Sequence, residues 1–104
     1  MSLDEVSLRK QIEKIKNDLM LLVDMRPGTL SQQEAKSSGT KYWQISYTHK
    51  MKSRTEYVRP YQVSRLKKEV LFYQRFRKLI QQWVDTSFEI SRIVGKNAKA
   101  KPGS

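Results

Sequence analysis

Read from its start, the chain spaces its apolar residues for a helix. Leu8, Ile12, Ile15, Leu19 and Leu22 follow the alternating four-three step of a coiled-coil seam, with Val23 beside it. Ser2 and Glu5 have the spacing of a capping box, and Asp4 and Glu5 suit the positive end of a helix dipole. Arg26-Pro27-Gly28 stops the run, because proline removes a backbone donor and glycine permits the turn. The pattern predicts a helix from about Leu3 to Met25. From Thr29 to Gly39 the chain is polar, rich in Ser and Gln, and reads as a loop.

The period then shortens. Trp43, Ile45 and Tyr47 alternate with Gln44, Ser46 and Thr48, as in a half-buried strand. Arg54 to Arg59 reads as a second strand, with His49 to Ser53 as the hairpin loop, although the favoured Asn-Gly turn is missing. Pro60 suits the first turn of a second helix, which meets no Gly or Pro until Gly95. Its apolar residues form two rows: Leu66, Val70, Tyr73, Ile80 and Val84, then Phe72, Phe76, Leu79, Trp83, Ile90 and Ile93. A stripe that wide exceeds what one short helix and a hairpin can cover. Leu8, Ile12, Ile15 and Leu19 with Phe72, Phe76, Trp83 and Ile90 are therefore the candidate interface with a second copy or a partner protein. The predicted fold is α+β and mainly α: an N-terminal helix, a two-stranded antiparallel hairpin, and a long C-terminal helix packed antiparallel to the first. It forms a single domain over residues 1–95, followed by a mobile basic tail over 96–104.

Composition changes this picture through charge. The chain has 104 residues and a formal net charge of +11. Residues 1–40 are electrically balanced, whereas residues 41–78 hold eleven basic side chains against Glu56 and Glu69 alone. On the second helix Lys67, Lys68, Arg75 and Lys78 fall within about a third of the circumference and read as a stripe opposite the apolar rows. A one-sided basic stripe is the electrostatic footprint of phosphate binding, since each cation replaces a condensed counterion. A solvated helix face is the plainer explanation of a charge run, but the shortage of interleaved acids weakens it. Lys41, Lys50, Lys52, Arg54 and Arg59 add cations on and around the hairpin. A two-stranded ribbon fits a major groove, and exposed rings stack unpaired bases. Trp43, Ile45 and Tyr47 read as the packed face, while Tyr42, Tyr57 and Tyr61 suit core, stacking platform or both.

Catalytic chemistry finds few residues here. The chain has one histidine, His49, and no cysteine, so neither the common zinc sets nor a Cys-His or Ser-His-Asp arrangement can be assembled. Its four glycines are scattered and make no phosphate-cradling loop. The sequence predicts no enzyme, no cofactor and no metal. It opens without a secretory pattern and has no apolar run long enough to cross a bilayer, which gives a soluble, cytoplasmic expectation without membrane partners.

Three segments in order carry a resemblance: Met25-Arg26-Pro27-Gly28-Thr29-Leu30, then Gly39-Thr40-Lys41-Tyr42-Trp43-Gln44-Ile45-Ser46-Tyr47, then Lys52-Ser53-Arg54-Thr55-Glu56-Tyr57-Val58. Together they resemble a family of small uncharacterised prokaryotic proteins often encoded in or beside transposons. Such proteins have a leading helix, a Gly-Ser-Leu-like turn, a loop with cysteines, a Gly-Pro-Tyr-led strand, a basic hairpin and a long final helix. The likeness spans nearly the whole chain but departs at Ser31 to Ser38, which lacks the cysteines, so a metal-knuckle role for that loop does not carry over. The resemblance implies a prokaryotic origin, a mobile-element or genome-defence setting, and nucleic-acid business.

The leading expectation is thus a non-enzymatic nucleic-acid-binding accessory factor, for DNA or RNA. The alternative is a helical adaptor docking on an acidic protein or a larger ribonucleoprotein effector. Binding to a membrane surface ranks third, because the apolar face is needed for the core.

Overall fold

The computed structural model describes residues 3–99. It is mainly helical: α1 (Leu3–Met20) is followed by strands β1 (Thr29–Glu34), β2 (Lys41–His49) and β3 (Lys52–Val58). A 3-10 turn (Pro60–Gln62) then leads into α2 (Val63–Lys99). The chain divides into two compact units. One comprises α1 through Leu21 with α2 from Phe76 onward; the other is residues 22–75, the sheet with the first part of α2. Among the described residues no helix is long and apolar enough to cross a membrane.

The sheet has three strands, not two, in the order β1-β2-β3, with both pairs antiparallel. The extra strand comes from the segment expected to be a loop. Of its six residues only Leu30 packs against the core, so the stretch shows no apolar alternation. Its strand state comes from the ladder to β2, closed by a turn in which Gly39 N–H donates to the Ala35 carbonyl and Ala35 N–H to that of Thr40. Gly39 has φ +68, a conformation that costs glycine little. At the other end Gly28 has φ +147, and a Cβ built there would lie 3.0 Å from Ile45 Cγ1. Glycine lets the incoming chain press directly on the core.

The β2-β3 connection is tighter than the sequence implied. Strand pairing runs to His49↔Lys52, which leaves Lys50 and Met51 alone in the turn. Their φ values of 51° and 65° are both left-handed, the pattern of a type I′ turn. Asn and Gly normally fill it; here two ordinary L-residues do, and Met51 is 98% exposed.

The core of the second unit is Ile45, Val58, Leu66 and Val70, with Leu30, Trp43, Tyr47 and Val63 packed against it. One sheet face therefore lies on the start of α2. Burying four such side chains is worth roughly 6–12 kcal/mol before entropy is counted. In the first unit Ile15 and Ile90 are buried, and Lys16 Nζ lies 5.5 Å from the centre of the Trp83 ring. Glu5 is also buried, with Arg9 donating to its Oε1 at 3.1 Å.

α1 stops five residues earlier than expected. Leu21 N–H bonds back to the Asp18 carbonyl, and the chain then leaves the helix. The residue before Pro27 disfavours helix, and Arg26 is claimed elsewhere: its N–H donates to the Glu69 carbonyl of α2. The seam expected through Leu22 thus loses its last member. At the far end α2 runs through Gly95, so residues 96–99 of the expected tail are helical and 100–104 lie outside the described residues.

Candidate nucleic-acid interface

Register decides what each sheet face carries. Ile45 pairs with Leu30 and Glu56, Trp43 with Gln32 and Val58, and Tyr47 with Arg54. Side chains alternate across a strand, so Lys41, Lys52 and Arg54 share the helix-side face with Trp43, Ile45 and Tyr47. The open face then holds Thr29, Ser31 and Gln33 of β1, Tyr42, Gln44, Ser46 and Thr48 of β2, and Ser53, Thr55 and Tyr57 of β3. No residue on it is charged. In a chain of net charge +11, the open side of the sheet is neutral.

Six of the hydroxyl and amide side chains of this face bond to one another in pairs. Ser46 and Thr55 are 3.1 Å apart, Thr48 and Ser53 2.8 Å, and Gln33 Nε2 donates to Ser31 Oγ at 3.1 Å. Tyr42 and Tyr57 meet across the strands, with ring centroids 6.5 Å apart and planes tilted by 39°. Tyr57 is 62% exposed and Tyr42 half-buried. Tyr61 lies on the 3-10 turn, exposed and outside this pair. Of the three rings nominated from sequence, the structure brings two together.

The cations lie at the two ends of the hairpin and along α2. Lys50 and Lys52 are at the tip, exposed, with Arg54 two residues along β3. Lys41 starts β2 and Arg59 follows β3, both exposed and both at the sheet end that carries the tyrosine pair. Lys67 Nζ sits 4.7 Å from the Trp43 ring centre and Lys68 Nζ 5.6 Å from that of Phe72. The helix stripe therefore borders the apolar face instead of opposing it. Arg75 is exposed nearby on α2, and Lys78 belongs to the other unit.

The two acids of this segment are already engaged. Glu56 accepts from Tyr47 Oη at 2.6 Å and from Arg26 Nη2 at 3.1 Å, and Arg26 also lies over the Tyr47 ring. The Tyr47 hydrogen bond, then the one from Arg26, hold the Glu56 carboxyl below the ordinary glutamate range. The same bond to Glu56 raises the Tyr47 phenol above its ordinary value. Glu69 accepts from Arg65 at 2.7 Å. Among the described residues, none of the nominated hairpin and helix cations forms an ion pair.

The nominated partner interface divides between the units. Phe72 lies in the second, half-buried; in the first, Ile15 and Ile90 are buried within the chain, and Leu8, Ile12, Leu19, Phe76 and Trp83 are half-buried. Sequence reasoning missed Phe88, which with Ile80, Trp83 and Val84 lines an open groove of about 470 Å³. Its i, i+4 spacing to Val84 was the available signal. Among the described residues no cluster of three or more His, Cys, Asp or Glu could hold a metal. Compared with known protein families, curated proteins and solved structures, the chain matches none.

Proposed function

We propose that this chain is a non-enzymatic nucleic-acid-binding protein that holds phosphates with the basic residues around its hairpin and on the first part of α2. One observation carries the reading. Residues 41–78 have a large basic excess, and their two acids are consumed by Arg26 and Arg65, so the lysines meet solvent uncompensated. A field of that kind attracts polyanions and speeds their encounter. By the resemblance noted above, the setting is that of a cytoplasmic accessory or regulatory factor of a mobile-element or genome-defence machine. The apolar residues of α1 and of the end of α2 would serve assembly with a second copy or a partner.

The test replaces Lys50, Lys52, Arg54 and Lys68 together by Gln. For each phosphate contact removed, the slope of log affinity against log salt should fall by about 0.7–0.9. An unchanged slope would overturn the proposal. A second reading, the protein adaptor, is favoured by the apolar groove at Val84 and Phe88, which are 56% and 61% exposed. Binding there would be nearly independent of salt and would be lost in Phe88→Glu.

A further inference from the structure

The open sheet face needs its own explanation, because charge attraction does not account for a neutral one. It carries two adjacent tyrosine rings, a border of hydroxyls already bonded to each other, and one amide that stands apart. Gln44 lies directly opposite Tyr57 on β3 and Ser31 on β1, and its side chain makes no hydrogen bond among the described residues. Its amide can therefore donate and accept at once, as a base edge requires.

Resting on the nucleic-acid reading above, we propose that this face is a platform for unpaired bases. The ligand is then single-stranded nucleic acid, with bases stacked on Tyr42 and Tyr57 and one base edge read by Gln44. Stacking on a ring requires a base whose face is free, and in a duplex the neighbouring pairs occupy those faces. A neutral surface suits bases, which carry no charge, while the phosphates need cations at its margins. Arg59, the residue after Val58, stands at the end of the sheet beside the ring pair. Lys50 stands in the turn at the tip, roughly 25 Å away along the hairpin. A strand laid along the face would meet cations at both ends and rings between them. Tyr61, off this face, takes no part.

The experiment measures binding of the full chain to fluorescein-labelled mixed-sequence DNA and RNA strands, and to duplexes of equal length, at one fixed salt. The expected result is at least tenfold tighter binding of single strand. Tyr57→Ala should weaken it about tenfold and Tyr57→Phe hardly at all, since the ring and not the hydroxyl stacks. Gln44→Ala should flatten any preference among homopolymers. Tyr57 is exposed, so circular dichroism should be unchanged in these variants. Equal or tighter duplex binding overturns the platform, as does salt-dependent binding indifferent to Tyr57→Ala; both leave the phosphate reading standing. Absence of binding to any nucleic acid overturns both.

Discussion

Replacing Met51 by glycine should make the protein more stable, although it removes a large side chain. Met51 has φ 65° in the hairpin turn, a region where an L-residue places its Cβ against the following carbonyl at a cost of about 1–2 kcal/mol. Its side chain is 98% exposed, so its removal forfeits no packing. Against the relief stands glycine's greater freedom in the unfolded chain, about 0.5–1 kcal/mol. The net gain is about 0.5–1 kcal/mol for Met51→Gly. It grows to about 1–2 kcal/mol when Lys50, at φ 51°, is also changed to Asn, which tolerates that conformation. For a unit of this size about 1 kcal/mol raises Tm by roughly 4–8 °C. Thermal melts followed by circular dichroism, supported by urea titrations, would read it. Met51→Ala is the control: it removes the same exposed apolar surface but keeps the Cβ and the strained φ, so no gain is expected. If alanine stabilises as much as glycine, or glycine destabilises, the turn strain is not what the geometry implies. The Lys50 change should also cost binding one cation's share of salt dependence, whereas Met51→Gly should cost none.

Two further predictions concern the same unit. Gly28→Ala places a Cβ 3.0 Å from Ile45, which is 1% exposed, and imposes an unfavourable φ; a loss of about 2–4 kcal/mol is expected by urea titration, and a loss below about 1 kcal/mol would contradict it. The Tyr47-Glu56 pair should stabilise the fold only while Glu56 is ionised and Tyr47 protonated. Because the Glu56 value is lowered on folding, its contribution is present above the ordinary glutamate range and is lost as pH falls through the folded value. Because the Tyr47 value is raised, its contribution is present below the ordinary tyrosine value and is lost as pH rises through the folded one. The Tm advantage of the native protein over Tyr47→Phe should hold between the ordinary glutamate and tyrosine ranges and shrink as pH falls below the first or rises above the second; a difference that ignores pH would contradict the pairing.

How much of this was legible in the sequence varies by element. α2 was visible because nothing breaks it from Val63 and its rows are long, and β2 because Trp43, Ile45 and Tyr47 alternate. β1 was invisible for a physical reason: an edge strand with one core contact, Leu30, borrows its structure from its neighbour and carries no periodicity of its own. The end of α1 was overshot because the apolar residues from Leu21 to Met25 look helical in isolation, while the contacts that draw Arg26 away come from Tyr47, Glu56 and Glu69. The turn was misjudged because Lys50-Met51 contradicts its own preferred geometry. For the candidate site, charge counting found the cations, but only the pairing of Trp43 with Val58 shows which face each strand residue occupies. The neutrality of the open face, and the isolation of Gln44 on it, follow from that register and from nothing in the composition.

The measurement that tests the central claim most directly is binding of the purified full chain to labelled single-stranded nucleic acid across salt, from roughly 50 to 200 mM. If three or more phosphates are held, log affinity should fall linearly with log salt and lose more than about tenfold over that range. Affinity that stays flat with salt, or no binding at the lowest salt, would contradict the claim that the uncompensated cations of the hairpin and α2 exist to hold phosphate.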